Sequence, residues 1–170
     1  VELRQHHRAD SGRLRGENQA DDRLVATAGA ANVKRQHMSG LQHNKMIIVD
    51  GSNLKKAVGG STNFSWRGFY VQANNAVILT GVNAIKPFQE AFENYWNHAG
   101  DFGDTASAKW NSLGIAGLDA SVSFSPHSTS NALLKVIADD IDQNTKSSLF
   151  YSLAFLFQTP GVIISAIEKV

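Results

Sequence analysis

His43-Asn44-Lys45-Met46-Ile47-Ile48-Val49-Asp50, followed shortly by Gly59-Gly60-Ser61-Thr62-Asn63-Phe64, is the stretch that decides both fold and chemistry. The run Leu41–Val49 has the length and β-branched content of a strand. Alternate side chains on a strand share a face, so His43 and Lys45 project the same way, about 7 Å apart along the chain. An imidazole and an ammonium on one face suit a phosphate. Lysine neutralises non-bridging oxygens, and histidine, with an unperturbed pKa of about 6.5, serves as nucleophile or acid near neutrality. The Gly59–Asn63 loop can set backbone N–H groups beside them, with Gly60 in the turn and Ser61 and Asn63 as neutral donors to an oxyanion. Asp50 has the opposite parity and sits at a turn, so it reads as a structural residue supporting the site from behind.

Outward from this stretch, Asp50-Gly51-Ser52-Asn53 is turn chemistry and Leu54–Val58 returns as a hairpin partner. Upstream, a helix is expected from about Ala20 to Gly29 and a short strand at Asn32–His37. Downstream come a loop over Gly59–Gly68, a strand at Asn75–Leu79 and an amphipathic helix from about Asn83 to His98. In that helix Ile85, Phe88, Phe92, Tyr95 and Trp96 recur at three- and four-residue steps and mark a core face. A Gly-, Ala- and Ser-rich connector, residues 100–117, precedes a strand at Ser121–Phe124. A helix at about Ser130–Asp142, a strand at Ser147–Phe155 and a helix opening near Pro160 complete the chain. Strands alternating with helices predict an α/β fold, a mixed β-sheet flanked by helices.

Composition bounds the function. In 170 residues, 42% are apolar and 18% charged, enough to bury a core and to exclude wholesale disorder. A formal charge of +1 excludes binding by a global electrostatic field but leaves room for a local basic groove. With no cysteine, disulfides, thiolate metal sites and Cys nucleophiles are excluded. The apolar runs fall far short of the ~20 residues of a membrane span, and no signal peptide is visible. A chain that begins at Val1 and stops at or near the end of a helix reads as cut from something longer.

The pattern His-x-Lys-x4-Asp with a following Gly-Ser-x-Asn turn resembles the HKD signature of the phospholipase D superfamily. Chance would supply roughly 0.02 copies of the first half alone in this composition. The similarity extends to Trp66-Arg67-Gly68, to Asn74–Leu79 and to Phe88-x3-Phe92-x3-Trp96. Phe124-Ser125-Pro126 looks like the opening of a second repeat. The resemblance thus divides the chain into 1–117, the HKD-bearing part of one repeat, and 118–170, the opening β-α-β-α of the next, with both expected in the same compact unit.

The resemblance implies a phospholipase D-like phosphodiesterase working through a phosphohistidine, independent of metals and cofactors. Its substrate would be a lipid headgroup or a nucleic acid, cleaved by hydrolysis or passed to an alcohol; the basic residues near the N-terminus lean slightly toward nuclease-like chemistry. Carried over, His43 is nucleophile or acid/base, Lys45 and Asn63 hold phosphate oxygens, and Gly60 and Ser61 complete the phosphate turn. The residue that steadies the histidine in relatives is often a carboxylate; the matching position here is Asn74. The hairpin after Asp50 is longer than usual, and the chain has a single His-x-Lys. The second histidine of the mechanism must therefore come from another copy, as in a homodimer, or from sequence beyond Val170. A catalytically silent phosphate-binding module, an incomplete half-site and a purely structural subunit are the alternative readings.

Other residues carry less. His6 and Asp10 lack a third metal ligand. Asp140-x-Asp142-x-Asn144 lacks the glycine and glutamate of a calcium loop. Glycosylation at the Asn63 sequon would block the proposed pocket. His127 reads as a solvated loop histidine. Arg4, Arg8, Arg13 and Arg15 line either a polyanion groove or plain surface.

Overall fold

The computed structural model describes residues 11–36, 43–130, 132–153 and 161–170, with backbone alone at 11–15. The chain divides into two compact units, 1–126 and 127–170. The first holds a helix α1 (Ser11–Ala28), strands β1 (Met46–Asp50) and β2 (Lys55–Gly60), a short helix α2 (Trp66–Tyr70), β3 (Ala76–Thr80) and α3 (Val82–Asn97). Two-residue strands β4 (Asn111–Ser112) and β5 (Ser121–Val122) follow. The second unit holds α4 (Ala132–Asn144) and α5 (Val162–Ile167). Helices with small antiparallel sheets bear out the expected α/β fold class.

Strands β1, β2 and β3 form an antiparallel meander, and β4 pairs antiparallel with β5. The first hairpin closes where expected. Gly51 N–H donates to the Leu54 carbonyl at 2.9 Å, and Asp50 faces Lys55. β2 and β3 pair from Lys56↔Thr80 to Gly60↔Ala76, so residues 61–75 form an excursion that leaves and rejoins the sheet at one point. Glycine is required there. A Cβ on Gly60 would lie 2.3 Å from the Asn75 carbonyl oxygen, and one on Gly68 would lie 2.0 Å from that of Asn63.

Helix α3 covers one sheet face. Ala84, Ile85, Phe88, Ala91 and Tyr95 are buried and, with Ala57, Phe102, Leu113 and Phe124, make the core; Met46, Ile48 and Leu79 pack against it. Small residues of the helix let it approach Ala57 while Phe88 meets Phe124 edge-on, ring centres 5.2 Å apart. Of the expected aromatic stripe, Phe92 is not core but 40% exposed, its ring 5.8 Å from that of Trp96 at the edge. On the opposite sheet face Ile47, Val49 and Ile78 are exposed.

Several expectations are corrected. Helix α1 begins at Ser11, nine residues before Ala20. Residues 33–36 form no strand: a 3-10 turn at Ala30–Asn32 leads into irregular chain. That segment instead serves the C-terminus of α3, where carbonyls lack partners and the dipole favours a cation. Lys34 Nζ donates to the Trp96 carbonyl, and Gln36 Nε2 to that of Tyr95 at 2.9 Å. The loop read over Gly59–Gly68 contains the end of β2 and the start of α2, nucleated by Ser65, whose Oγ accepts from Gly68 N–H. Residues 147–153 are not a strand, and Phe150 is 92% exposed. Its apolar pattern has no partner edge among the described residues, and a strand without a ladder is not stable alone. Leu41 and Gln42, His37, the N-terminal residues 1–10 with His6 and Asp10, and Pro160 lie outside the described residues.

In the second unit α4 and α5 pack together, each burying an alanine (Ala138 and Ala166), and Lys169 pairs with Asp142 at 2.9 Å. Asp140, Asp142 and Asn144 are helical, with Asn144 Nδ2 donating to Asp140 at 2.7 Å.

Candidate active site

His43, Asn44 and Lys45 immediately precede β1, on the side of the sheet where the β4–β5 pair and the Ser123–Phe124 segment come close. Together with Gly59, Gly60, Ser121 and Ser123 they line a cleft of about 340 Å³. Its apolar wall is supplied by Met46, Val77, Leu79, Phe88, Leu113 and Phe124. The glycines matter to this shape: a Cβ on Gly59 would lie 3.3 Å from the Phe88 ring. His43 is exposed and Lys45 half-buried, and Lys45 Nζ donates to the His43 carbonyl at 2.7 Å. The two residues the sequence pairs thus border one concave space whose lining mixes polar and apolar residues.

The Gly60–Asn63 turn is held by a closed set of hydrogen bonds. Ser61 N–H donates to the Asn75 carbonyl at 3.0 Å, and Ser61 Oγ accepts from Asn75 N–H at 3.0 Å. The Ser61 hydroxyl proton goes to Asn74 Oδ1 at 3.1 Å, while Asn74 Nδ2 donates to the Gly68 carbonyl at 2.8 Å. The Asn63 carbonyl accepts from Ser65 N–H at 2.8 Å. Ser61 and Asn74 therefore lock the excursion between β2 and β3, and Asn63 sits half-buried inside it. Of the nominated residues, His43, Lys45 and Gly60 line the cleft; Ser61, Asn63 and Asn74 belong to the adjoining turn and Asp50 to the hairpin.

Asp50 lies on the α3 side of the sheet, in step with Met46 and Ile48. Its carboxylate accepts from its cross-strand neighbour Lys55 and from Gln89 Nε2 at 2.5 Å. The Lys55 hydrogen bond, then that of Gln89, hold its pKa below the usual aspartate value. Among the described residues no three His, Asp or Glu side chains converge as metal ligands.

Sequence reasoning missed Ser121 and Ser123, whose alternation along the strand expected at Ser121–Phe124 was the available signal. It also missed Asn44, the unassigned position inside His-x-Lys. The far wall of the cleft comes from residues some eighty positions away, a proximity no local pattern encodes.

The site and fold together define a phospholipase D-like domain. The family model described as "Cardiolipin synthase, PLD-like domain" matches residues 9–96, more than half of the chain, and the chain belongs to that family. The match spans His43 through Asn74 and nearly all of α3, and stops short of Ser121–Phe124. No curated protein and no solved structure matches the chain.

Proposed function

We propose that the chain is a phosphodiesterase of the phospholipase D type, with His43 at phosphorus and Lys45 on the phosphoryl oxygens. The family is one of phosphodiesterases and phosphatidyltransferases. The observation that carries the reading to these residues is that His43 and Lys45 border the same cleft beside the Gly59-Gly60 backbone. An imidazole nitrogen of His43 attacks phosphorus, and the N–P bond forms as the P–O bond to the leaving group breaks. A second histidine donates its proton to that leaving oxygen. It then takes a proton from water or an alcohol, whose oxygen displaces His43 and restores the imidazole. Lys45 offsets charge on the non-bridging oxygens throughout, joined by Asn63 and the backbone at Gly60 and Ser61 when the turn meets substrate. Ser61 and Asn74 keep that turn in shape, and Asp50 fixes the hairpin behind it. This chemistry asks nothing of a metal.

In this reading residues 118–170 open a second repeat, and the second histidine arrives from another copy of the chain or from sequence that continues it. The substrate is a phosphodiester of lipid or nucleic acid. The test is hydrolysis of bis(p-nitrophenyl) phosphate by the wild-type chain and by His43→Asn. Loss of turnover by about 10³-fold or more supports the reading, and retained turnover overturns it.

A second reading, a phosphate-binding module without turnover, is favoured by one observation: among the described residues lining the cleft, His43 is the one histidine. It expects phosphate or a phosphodiester to bind with nearly equal affinity to wild type and to His43→Asn, with no hydrolysis in either.

A further inference from the structure

The β1–β2 ladder begins at Met46↔Gly59, so His43, Asn44 and Lys45 lie ahead of its register. The side chain between the two reacting groups is anchored elsewhere. Asn44 Nδ2 donates to Tyr95 Oη and to the Ser125 carbonyl at 3.1 Å, which accounts for both of its amide protons. Tyr95 Oη in turn donates to the same Ser125 carbonyl at 2.5 Å. The polarity of this triangle is consistent: the phenol proton is committed to Ser125, so Oη is left to accept from Asn44.

The corners away from Asn44 are tied to the core through Tyr95 and Phe124. Tyr95 is buried in α3 and its ring stacks on Phe102, centroids 4.0 Å apart and planes 3° from parallel. The residue before Ser125 is the buried Phe124, whose N–H donates to the Ser107 carbonyl at 3.0 Å and whose ring meets Phe88 edge-on. Asn94, beside Tyr95, donates to Ser107 Oγ at 2.9 Å.

We propose that Asn44 and Tyr95 form a positioning clamp that fixes the His43–Lys45 segment against α3 and the Ser125 carbonyl, holding both reacting side chains toward the cleft. Tyr95 is then a positioning residue that acts through Asn44 and touches no substrate. The kinetic part of this inference rests on the phosphodiesterase reading; its structural part does not. Displacing a reacting group by an ångström costs turnover far more than binding, because the attack geometry is lost while the phosphate pocket survives.

The test uses Tyr95→Phe in the full 170-residue chain, a change that deletes the hydroxyl and keeps the stacked ring. Turnover of bis(p-nitrophenyl) phosphate is expected to fall about 10- to 100-fold with KM changed less than about threefold. Melting temperature should drop by only about 2–4 °C. Amide hydrogen exchange at residues 44–46 should quicken about 5- to 10-fold, while exchange in β2 and β3 stays put. Asn44→Ala removes the bond to Tyr95 together with that from Asn44 to Ser125, from an exposed position, and carries the test if the tyrosine variant fails to fold. The double variant should lose less than the sum of the two single losses, because the Asn44–Tyr95 bond is common to both.

Unchanged exchange at 44–46 overturns the clamp, as does unchanged kcat in an active enzyme. If the wild-type chain hydrolyses nothing, quickened exchange still supports the clamp and the phosphodiesterase reading alone is lost.

Discussion

Asp50 and Lys55 face each other across the mouth of the first hairpin, and Gln89 of α3 donates to the same carboxylate at 2.5 Å. The residue that looks like the third letter of a catalytic signature thereby ties β1, the strand that directly follows His43 and Lys45, to the helix beneath it.

This tie makes a pH-dependent prediction. Asp50 has a folded pKa below its unfolded value, so its contribution to stability is fully present above the unfolded pKa of about 3.9. It is lost as pH falls through the folded pKa, where both states become protonated. Asp50→Asn should therefore melt below wild type at pH 6–7, and the difference should shrink as pH falls below about 4. Thermal melts from pH 7 to pH 2.5 check this; a difference that grows on acidification contradicts it.

Packing gives a second prediction. Phe88 is buried, closes the apolar wall of the cleft and meets Phe124 edge-on. Phe88→Ala should cost about 3–5 kcal/mol, read as a shift in the urea midpoint at unchanged slope. Phe92→Ala, on the same helix but half exposed, should cost markedly less.

The turn supplies the third. A Cβ at Gly68 or Gly60 would strike backbone at 2.0 or 2.3 Å, and backbone cannot swing aside as a side chain does. Gly68→Ala and Gly60→Ala should each destabilise strongly or force the excursion open, lowering any phosphodiester turnover with it. Gly100→Ala, which meets nothing within 4 Å, is the control and should stay within about 0.5 kcal/mol of wild type. Equal effects at all three positions would show that the close approach is not what selects glycine.

Metal removal is the fourth. Nucleophilic attack by an imidazole with charge neutralised by lysine needs no Lewis acid, so turnover should survive EDTA. Complete loss on chelation, restored by a divalent cation, would contradict the mechanism.

What could be read in the sequence was local. The hairpin followed from Asp50–Asn53 and its flanking runs, and α3 from its three- and four-residue apolar steps. The parity argument set Asp50 apart from Lys45, and in the structure its carboxylate bonds to Lys55 and to Gln89 of α3. What could not be read depended on distant partners. Residues 33–36 have strand-like composition but cap α3, and residues 147–153 lack an edge to pair with among the described residues. Ser61 and Asn74 match phosphate and histidine partners in one dimension, and only the fold shows that they also bond to each other. Tyr95 reads as a core aromatic, and only the fold reveals that its hydroxyl reaches Asn44.

The central claim is that His43 becomes bonded to phosphorus. The most direct measurement is to quench the chain after brief mixing with a phosphodiester at neutral pH, keep the digest alkaline because N–P bonds are acid-labile, and locate the adduct by mass spectrometry. A phosphoester group on His43, absent in His43→Asn and more abundant in wild type than in Lys45→Ala, is the predicted result. Turnover with no adduct on His43, or with the adduct on another residue, would contradict the account.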